Sequence, residues 1–195
     1  MTEMHELHRR AGEILKDVVS RVRPEHLGRA TPCEEWDVRA LLHHIAWSNL
    51  WVVPLVHGQS LAEAGSGLEG DVLGDDPVGA TRRSIDQASD AYAEPGTMDA
   101  PVELSRGTAP GREYCGERMN DLTVHAWDLA RGIGENVELD PECMEASIEV
   151  HRPLEPFLRP AGELGPDVEV PDGADAQTRY LAFFGRRADW APPDG

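Results

Sequence analysis

A chain of 195 residues, 40% hydrophobic and 28% charged, has enough apolar content for one folded core and too little length for two, which excludes an intrinsically disordered chain and predicts a single domain over 1–195. Its 36 acidic against 18 basic side chains leave a net charge of −18. Such a field repels phosphate backbones and anionic headgroups, so neither nucleic acid nor a membrane is expected as a partner, and the acidity reads most simply as a solvated, aggregation-resistant surface.

Taken in chain order, residues 3–22 carry Leu7, Ala11, Ile14, Leu15, Val18 and Val22 at three- and four-residue steps, the pattern of a first amphipathic helix. A link with Pro24 and Pro32 leads to Asp37, a natural N-cap, and then to VRALLHHIAWSNLWVV, a second helix whose apolar residues wrap most of its circumference. Residues 58–79 are rich in Gly, Asp and Glu and read as a long loop with a short turn of helix at Ser60 to Ala64. Pro77 opens a third helix to about Ala93, ended by Pro95 and Gly96. Met98 to Ser105 alternates weakly before GTAPG, which predicts a short extended excursion or hairpin. A fourth helix spans about Arg112 to Gly132, with Leu122, Ala126, Leu129 and Ile133 on one stripe and Gly132 and Gly134 at its end. Pro141 to Leu158 predict a fifth, bent or ended by Pro153 and Pro156, and Asp175 caps a last short helix carrying Leu181, Phe183 and Phe184. The fold class is therefore all-α, a four-helix bundle with a short β excursion, its core at about 5–158 and a C-terminal extension over 159–195.

The N-terminal MTEMHELHRRAGEIL has no apolar h-region, and the longest apolar run, Ile45 to Val56, is interrupted by Ser48, Asn49 and Pro54. A cytoplasmic location is expected. Cys33, Cys115 and Cys143 form an odd set without CxxC spacing, so reduced thiols are expected rather than a disulfide framework or a zinc knuckle.

Bundles build metal sites from side chains projected inward by facing helices. On the fourth helix Asp121 and His125 stand four residues apart, on one face, next to the apolar stripe. A carboxylate there requires a partner or an ion, although on this spacing alone a hydrogen-bonded helix pair is the simpler reading. The second helix offers His43 and His44, adjacent positions that cannot share a face. His44 neighbours Leu41, Ile45 and Ser48 and lies nearer the buried surface, where a hydrogen-bonded core histidine is the ordinary role; His43 lies beside Arg39. Two imidazoles and a carboxylate nonetheless form a common ligand set for zinc, nickel, manganese or iron, with positions left open.

Three stretches carry a family resemblance. TPCEEWDVRALLHHI at 31–45, DLTVHAWDLARGIG at 121–134 and LAFFGRRADW at 181–190 resemble, in the same order, motifs of the actinobacterial branch of the DinB-like superfamily, which includes the N-terminal domain of mycothiol-dependent maleylpyruvate isomerase. The resemblance implies a DinB-like four-helix bundle and a metal triad of His44, Asp121 and His125. At the middle position the isomerase has glutamate and many other members histidine; this chain has the shorter Asp121.

Asp128 is read either as a proton acceptor for His125 or as a surface charge, Trp36 and Trp127 as core anchors, Cys33 as a packing thiol and His57 as a solvated residue at a helix end; His5, His8 and His151 show no partner pattern. Two functions follow. One is a metal-dependent thiol transferase or isomerase that takes a small-molecule thiol, mycothiol being implied by the resemblance, and an electrophilic substrate. The other is a non-catalytic metal- or small-molecule-binding protein on the same bundle. An enzyme acting on a bulky thiol would use the 58–79 loop as a lid or cleft wall, and a homodimer is compatible with the sequence, which does not fix the oligomeric state.

Overall fold

The computed structural model describes residues 2–162 and 164–192. In chain order these form α1 (Met4–Val19), α2 (Val38–Leu50), α3 (Val52–Val56), α4 (Leu61–Gly65), α5 (Pro77–Ala93), β1 (Pro101–Leu104), β2 (Gly107–Pro110), α6 (Gly111–Gly132), α7 (Pro141–His151), α8 (Glu155–Leu158) and α9 (Ala176–Phe183), with a 3-10 turn at Pro24–His26. Short carboxylates start four helices, Asp37 and Asp175 as expected and Asp76 and Asp140 just before the prolines that the sequence marks. Asp37 accepts from the Ala40 amide at 2.8 Å, Asp76 from Gly79 at 2.9 Å, Asp140 from Glu142 at 2.9 Å and Asp175 from Thr178 at 2.7 Å. Each such cap is worth about 1 kcal/mol because it satisfies a donor that the helix itself leaves open.

Two expected helices are broken. The second stops at Leu50 and resumes as α3, because Pro54 lacks an amide hydrogen and its ring crowds the carbonyl four residues earlier. Pro153 likewise ends α7 at His151, and Pro156 lies in the first turn of α8. The excursion after α5 is an antiparallel hairpin with Val102 opposite Ala109, and Val102 and Leu104 turn inward onto α3, α5 and the start of α6.

α1, α2, α5 and α6 form the expected four-helix bundle, α1 and α2 each packing against both α5 and α6. Leu15, Val18, Leu41, Leu42, Ile45, Ile85, Leu122 and Leu129 are fully buried at its centre. A methyl on Gly12 would lie 2.9 Å from Ile85 Cγ2, so the approach of α1 to α5 depends on the missing side chain. α6 ends in a glycine turn, Gly134 at φ +82°, with the Glu135 amide bonded back to Ala130. The C-terminal extension folds back on α6 and contributes to the same core. Tyr180 donates to Asn120 Oδ1 at 3.0 Å, Gln177 bonds both Val137 and Leu139, and Leu181 and Phe184 are buried. No helix among the described residues is long and apolar enough to cross a membrane.

His8, without a partner pattern in the sequence, is fully buried against Tyr92, with Nδ1 3.3 Å from Ser89 Oγ. Burial, helped by the charge of Arg118, pushes its pKa down to about 3. In the unfolded chain an imidazole titrates near 6.5, so below that pH the unfolded state takes up a proton that the folded state refuses. The contribution is complete above about pH 6.5 and falls by about 1.4 kcal/mol per pH unit toward pH 3. Urea unfolding from pH 4.5 to 7.5 should show a shallower acid decline for His8→Gln than for wild type; parallel declines would refute the assignment.

Candidate metal centre

The site begins with a stripe on α6. Arg118, Asp121, His125 and Asp128 follow one another at steps of three, four and three residues, so all four lie along one helix face. α2 supplies His44 from the facing side. A turn before α2 adds two more residues: Thr31 Oγ1 donates to the Trp36 carbonyl at 2.7 Å and accepts from the Cys33 amide at 3.2 Å. That stapled turn sets Trp36 over His44, ring centroids 4.5 Å apart and stacked, and sets Cys33 Sγ 3.3 Å from Asp128.

His44 Nε2 and His125 Nε2 each lie 3.4 Å from Asp121 Oδ1, and the two imidazoles meet edge to face at 4.9 Å. One ligand atom from each residue falls within 4.8 Å of the others. Four ligands at the roughly 2.0–2.1 Å typical of zinc stand about 3.3–3.4 Å apart at the corners of a tetrahedron, so the two nitrogen to oxygen separations fit a single ion. The His125 side chain is 6% exposed, against 25% for His44 and 20% for Asp121, so the cluster is closed on the His125 side and open on the other.

Each carboxylate has a guanidinium. Arg118 Nη2 bonds Asp121 Oδ2, which leaves Oδ1 facing the imidazoles. Burial pushes the Asp121 carboxyl up, but Arg118 and the two histidines outweigh it and hold it well below the usual carboxylate range. Asp128 is fully buried, and Arg186 takes both of its oxygens, at 3.3 and 3.0 Å. Burial pulls the His125 imidazole down, while Asp121 and Asp128 outweigh that and raise it well above its ordinary value. Cys33, His125 and Asp128 form a second cluster of metal-ligating types. There, however, Arg186 Nη2 already engages two of the three groups, Cys33 Sγ at 3.6 Å and Asp128 Oδ2 at 3.0 Å.

The structure brings His44, Asp121 and His125 together and turns His43 away to the Gly70 carbonyl, 3.2 Å distant. Asp128 is no surface charge. It accepts from His125 Nδ1 at 2.9 Å. Trp127 is a core residue as expected, whereas Trp36 is half-buried and covers His44. Cys33 is half-buried beside Asp128, and His57 pairs with Glu94 at 2.9 Å. The 58–79 loop is tied to Arg39, His43 and Trp47 of α2 through Asp71, Gly70 and Leu68. Those hydrogen bonds hold it along α2. Sequence reasoning missed Arg118 and Arg186. The i, i+3 spacing of Arg118 to Asp121 was available as a signal, whereas nothing local points Arg186 at Asp128, 58 residues away.

Residues 8–130 match the family model of the mycothiol maleylpyruvate isomerase N-terminal domain. Two Mycobacterium tuberculosis proteins, uncharacterized protein MT0763 of strain CDC 1551 / Oshkosh and uncharacterized protein Rv0738 of strain ATCC 25618 / H37Rv, are each 30% identical over 181 residues, spanning 92% of this chain and 95% of the relative. Among solved structures, the mycothiol-dependent maleylpyruvate isomerase superposes with a TM-score of 0.57 at 18% identity, and a mutant of it with 0.58 at 16%, in both cases over 77% of this chain and 70% of that one. At such identity the likeness is one of fold.

Zinc titration of the metal-free protein followed by elemental analysis is expected to give one equivalent for wild type and none for His125→Ala, with helical circular dichroism retained. Asp121→Asn replaces a charged ligand oxygen by a neutral amide and should weaken zinc by about tenfold or more. A full equivalent in the His125 variant would refute the triad; unchanged affinity in the Asp121 variant would leave the two histidines as the ligands.

Proposed function

The chain belongs to the mycothiol maleylpyruvate isomerase N-terminal domain family, and from that membership and the geometry of the triad we propose that it binds one divalent ion, zinc by preference, and uses it to activate a low-molecular-weight thiol in a metal-dependent transfer or isomerisation. The observation that carries the reading is the 3.4 Å spacing of His44 and His125 from Asp121 around a cluster open on one side. Mycothiol is the thiol proposed, and an electrophilic small molecule its acceptor.

A divalent ion in this position supplies Lewis acidity, which lowers the pKa of a bound thiol and selects the thiolate. The protein's own part is to hold and orient. His44 and His125 are neutral donors in the ion-bound state, Arg118 offsets the charge of Asp121, and Arg186 offsets that of Asp128. The surrounding side chains therefore leave the charge of the ion uncancelled for an anionic sulfur. Trp36 over His44 and the core around His125 keep water from one side. A cleft of about 770 Å³ lies between Pro32, Glu34, Thr178, Arg186 and Trp190, on the Arg186 side of Asp128 and not lined by His44, Asp121 or His125. Free, reduced cysteines and a thiol substrate accord with a cytoplasmic setting.

Calorimetry of the zinc-loaded protein with mycothiol, run in two buffers of different ionisation enthalpy, should report binding with release of about one proton, absent from the metal-free protein. Binding without metal dependence would point to an organic pocket alone. Absence of binding by mycothiol and by simpler thiols would favour the non-catalytic metal-binding reading.

A further inference from the structure

The geometry points to Arg186, acting through Asp128, as the positioning residue of the metal centre: a side chain from the segment after α9, outside residues 8–130 of the family match, sets which nitrogen His125 presents to the ion. The Asp128 carboxylate takes two hydrogen bonds from Arg186 and one from Cys33, all as acceptor, and as an ionised group it has no proton to give. His125 Nδ1, 2.9 Å away, must therefore carry the hydrogen of that contact. In the neutral, metal-binding imidazole the lone pair is thereby assigned to Nε2, the nitrogen that faces Asp121 Oδ1.

The placement of Arg186 has its own local cause. α9 closes in a glycine turn in which the Gly185 amide bonds Ala182 at 2.9 Å and the Arg186 amide bonds Leu181 at 2.8 Å, with Gly185 at φ +77°. A side chain at 185 would also meet the Gly165 backbone, 2.5 Å from its Cα. The turn delivers Arg186 to a fully buried carboxylate, and its planar fork gives each oxygen its own N–H donor in fixed geometry, Nε to Oδ1 and Nη2 to Oδ2, where an ammonium has a single nitrogen. Without Arg186, Asp128 would be a buried charge with only an imidazole and a thiol as partners, free to turn away and so to release the His125 ring to its other tautomer. The inference rests on the metal reading only for its affinity readout; the orientation of His125 exists without the ion.

Wild type, Asp128→Asn, Arg186→Met and Arg186→Lys, each checked for fold by circular dichroism, are compared in two measurements. Chelator competition should show zinc about ten- to a hundredfold weaker in Asp128→Asn and Arg186→Met, with Arg186→Lys between these and wild type. A variant combining Asp128→Asn with Arg186→Met should bind no more weakly than Asp128→Asn alone, because Arg186 acts through Asp128. Nitrogen-15 NMR of the metal-free proteins should show a protected His125 Nδ1–H in wild type that is lost in Asp128→Asn and exchanges faster in Arg186→Met. Should Arg186→Met not fold, Arg186→Lys decides by the same two readouts. Wild-type zinc affinity together with an unchanged Nδ1–H in a folded Arg186 variant overturns the positioning role and leaves the metal reading standing. A lost Nδ1–H in a protein whose wild type takes up no zinc upholds the positioning of His125 and overturns the metal reading instead.

Discussion

Charges buried in a helical bundle must be neutralised where they stand, and the stripe of Arg118, Asp121, His125 and Asp128 on α6 obeys that constraint one turn at a time. Each aspartate contacts an imidazole on one side and a guanidinium on the other, Arg118 from the same helix for Asp121 and Arg186 from beyond α9 for Asp128. His125 stands between them. Removing one member leaves its partner charged and unpaired in the interior, which is more damaging than replacing the whole set. The arrangement is thus better understood as specifying one geometry than as a source of net stability.

The bundle supplies the rigidity that this geometry needs. α6 is the element on which α1, α2 and α7 pack and to which the C-terminal extension is bound, so its face toward His44 has little freedom. On the other side of the centre, the Thr31 staple holds the turn from which Trp36 stacks on His44 and Cys33 reaches Asp128. Two glycine turns, at Gly134 and Gly185, stop their helices at defined points, and the second aims Arg186. Local backbone chemistry therefore reaches the donor atoms through only a few covalent bonds.

Asp121 stands where the resemblance implies a longer carboxylate or an imidazole. A carboxylate one methylene shorter reaches less far, and the structure meets this by keeping Oδ1 3.4 Å from both imidazole nitrogens while Arg118 secures Oδ2.

Helix starts and stops were legible in the sequence because caps and breakers act within a few residues: Asp37 and Asp175 cap helices, Pro77 and Pro141 open two more, and Gly134 ends one. The breaks at Pro54 and Pro153 had visible causes too, although how far each helix would run past its proline depended on packing. The pair Asp121 and His125 was legible from helical periodicity, and His44 from its position among apolar neighbours together with the family resemblance. Which of two adjacent histidines faces α6 was decided by the approach of α2, and the 58–79 loop took its place beside α2 through contacts at Leu68, Gly70 and Asp71. The role of Trp36, the burial of Asp128 and the arrival of Arg186 belong to the tertiary structure alone. Periodicity reports which residues share a face of one helix, whereas a contact across 58 residues exists only once the chain has closed on itself and a buried charge has found its partner.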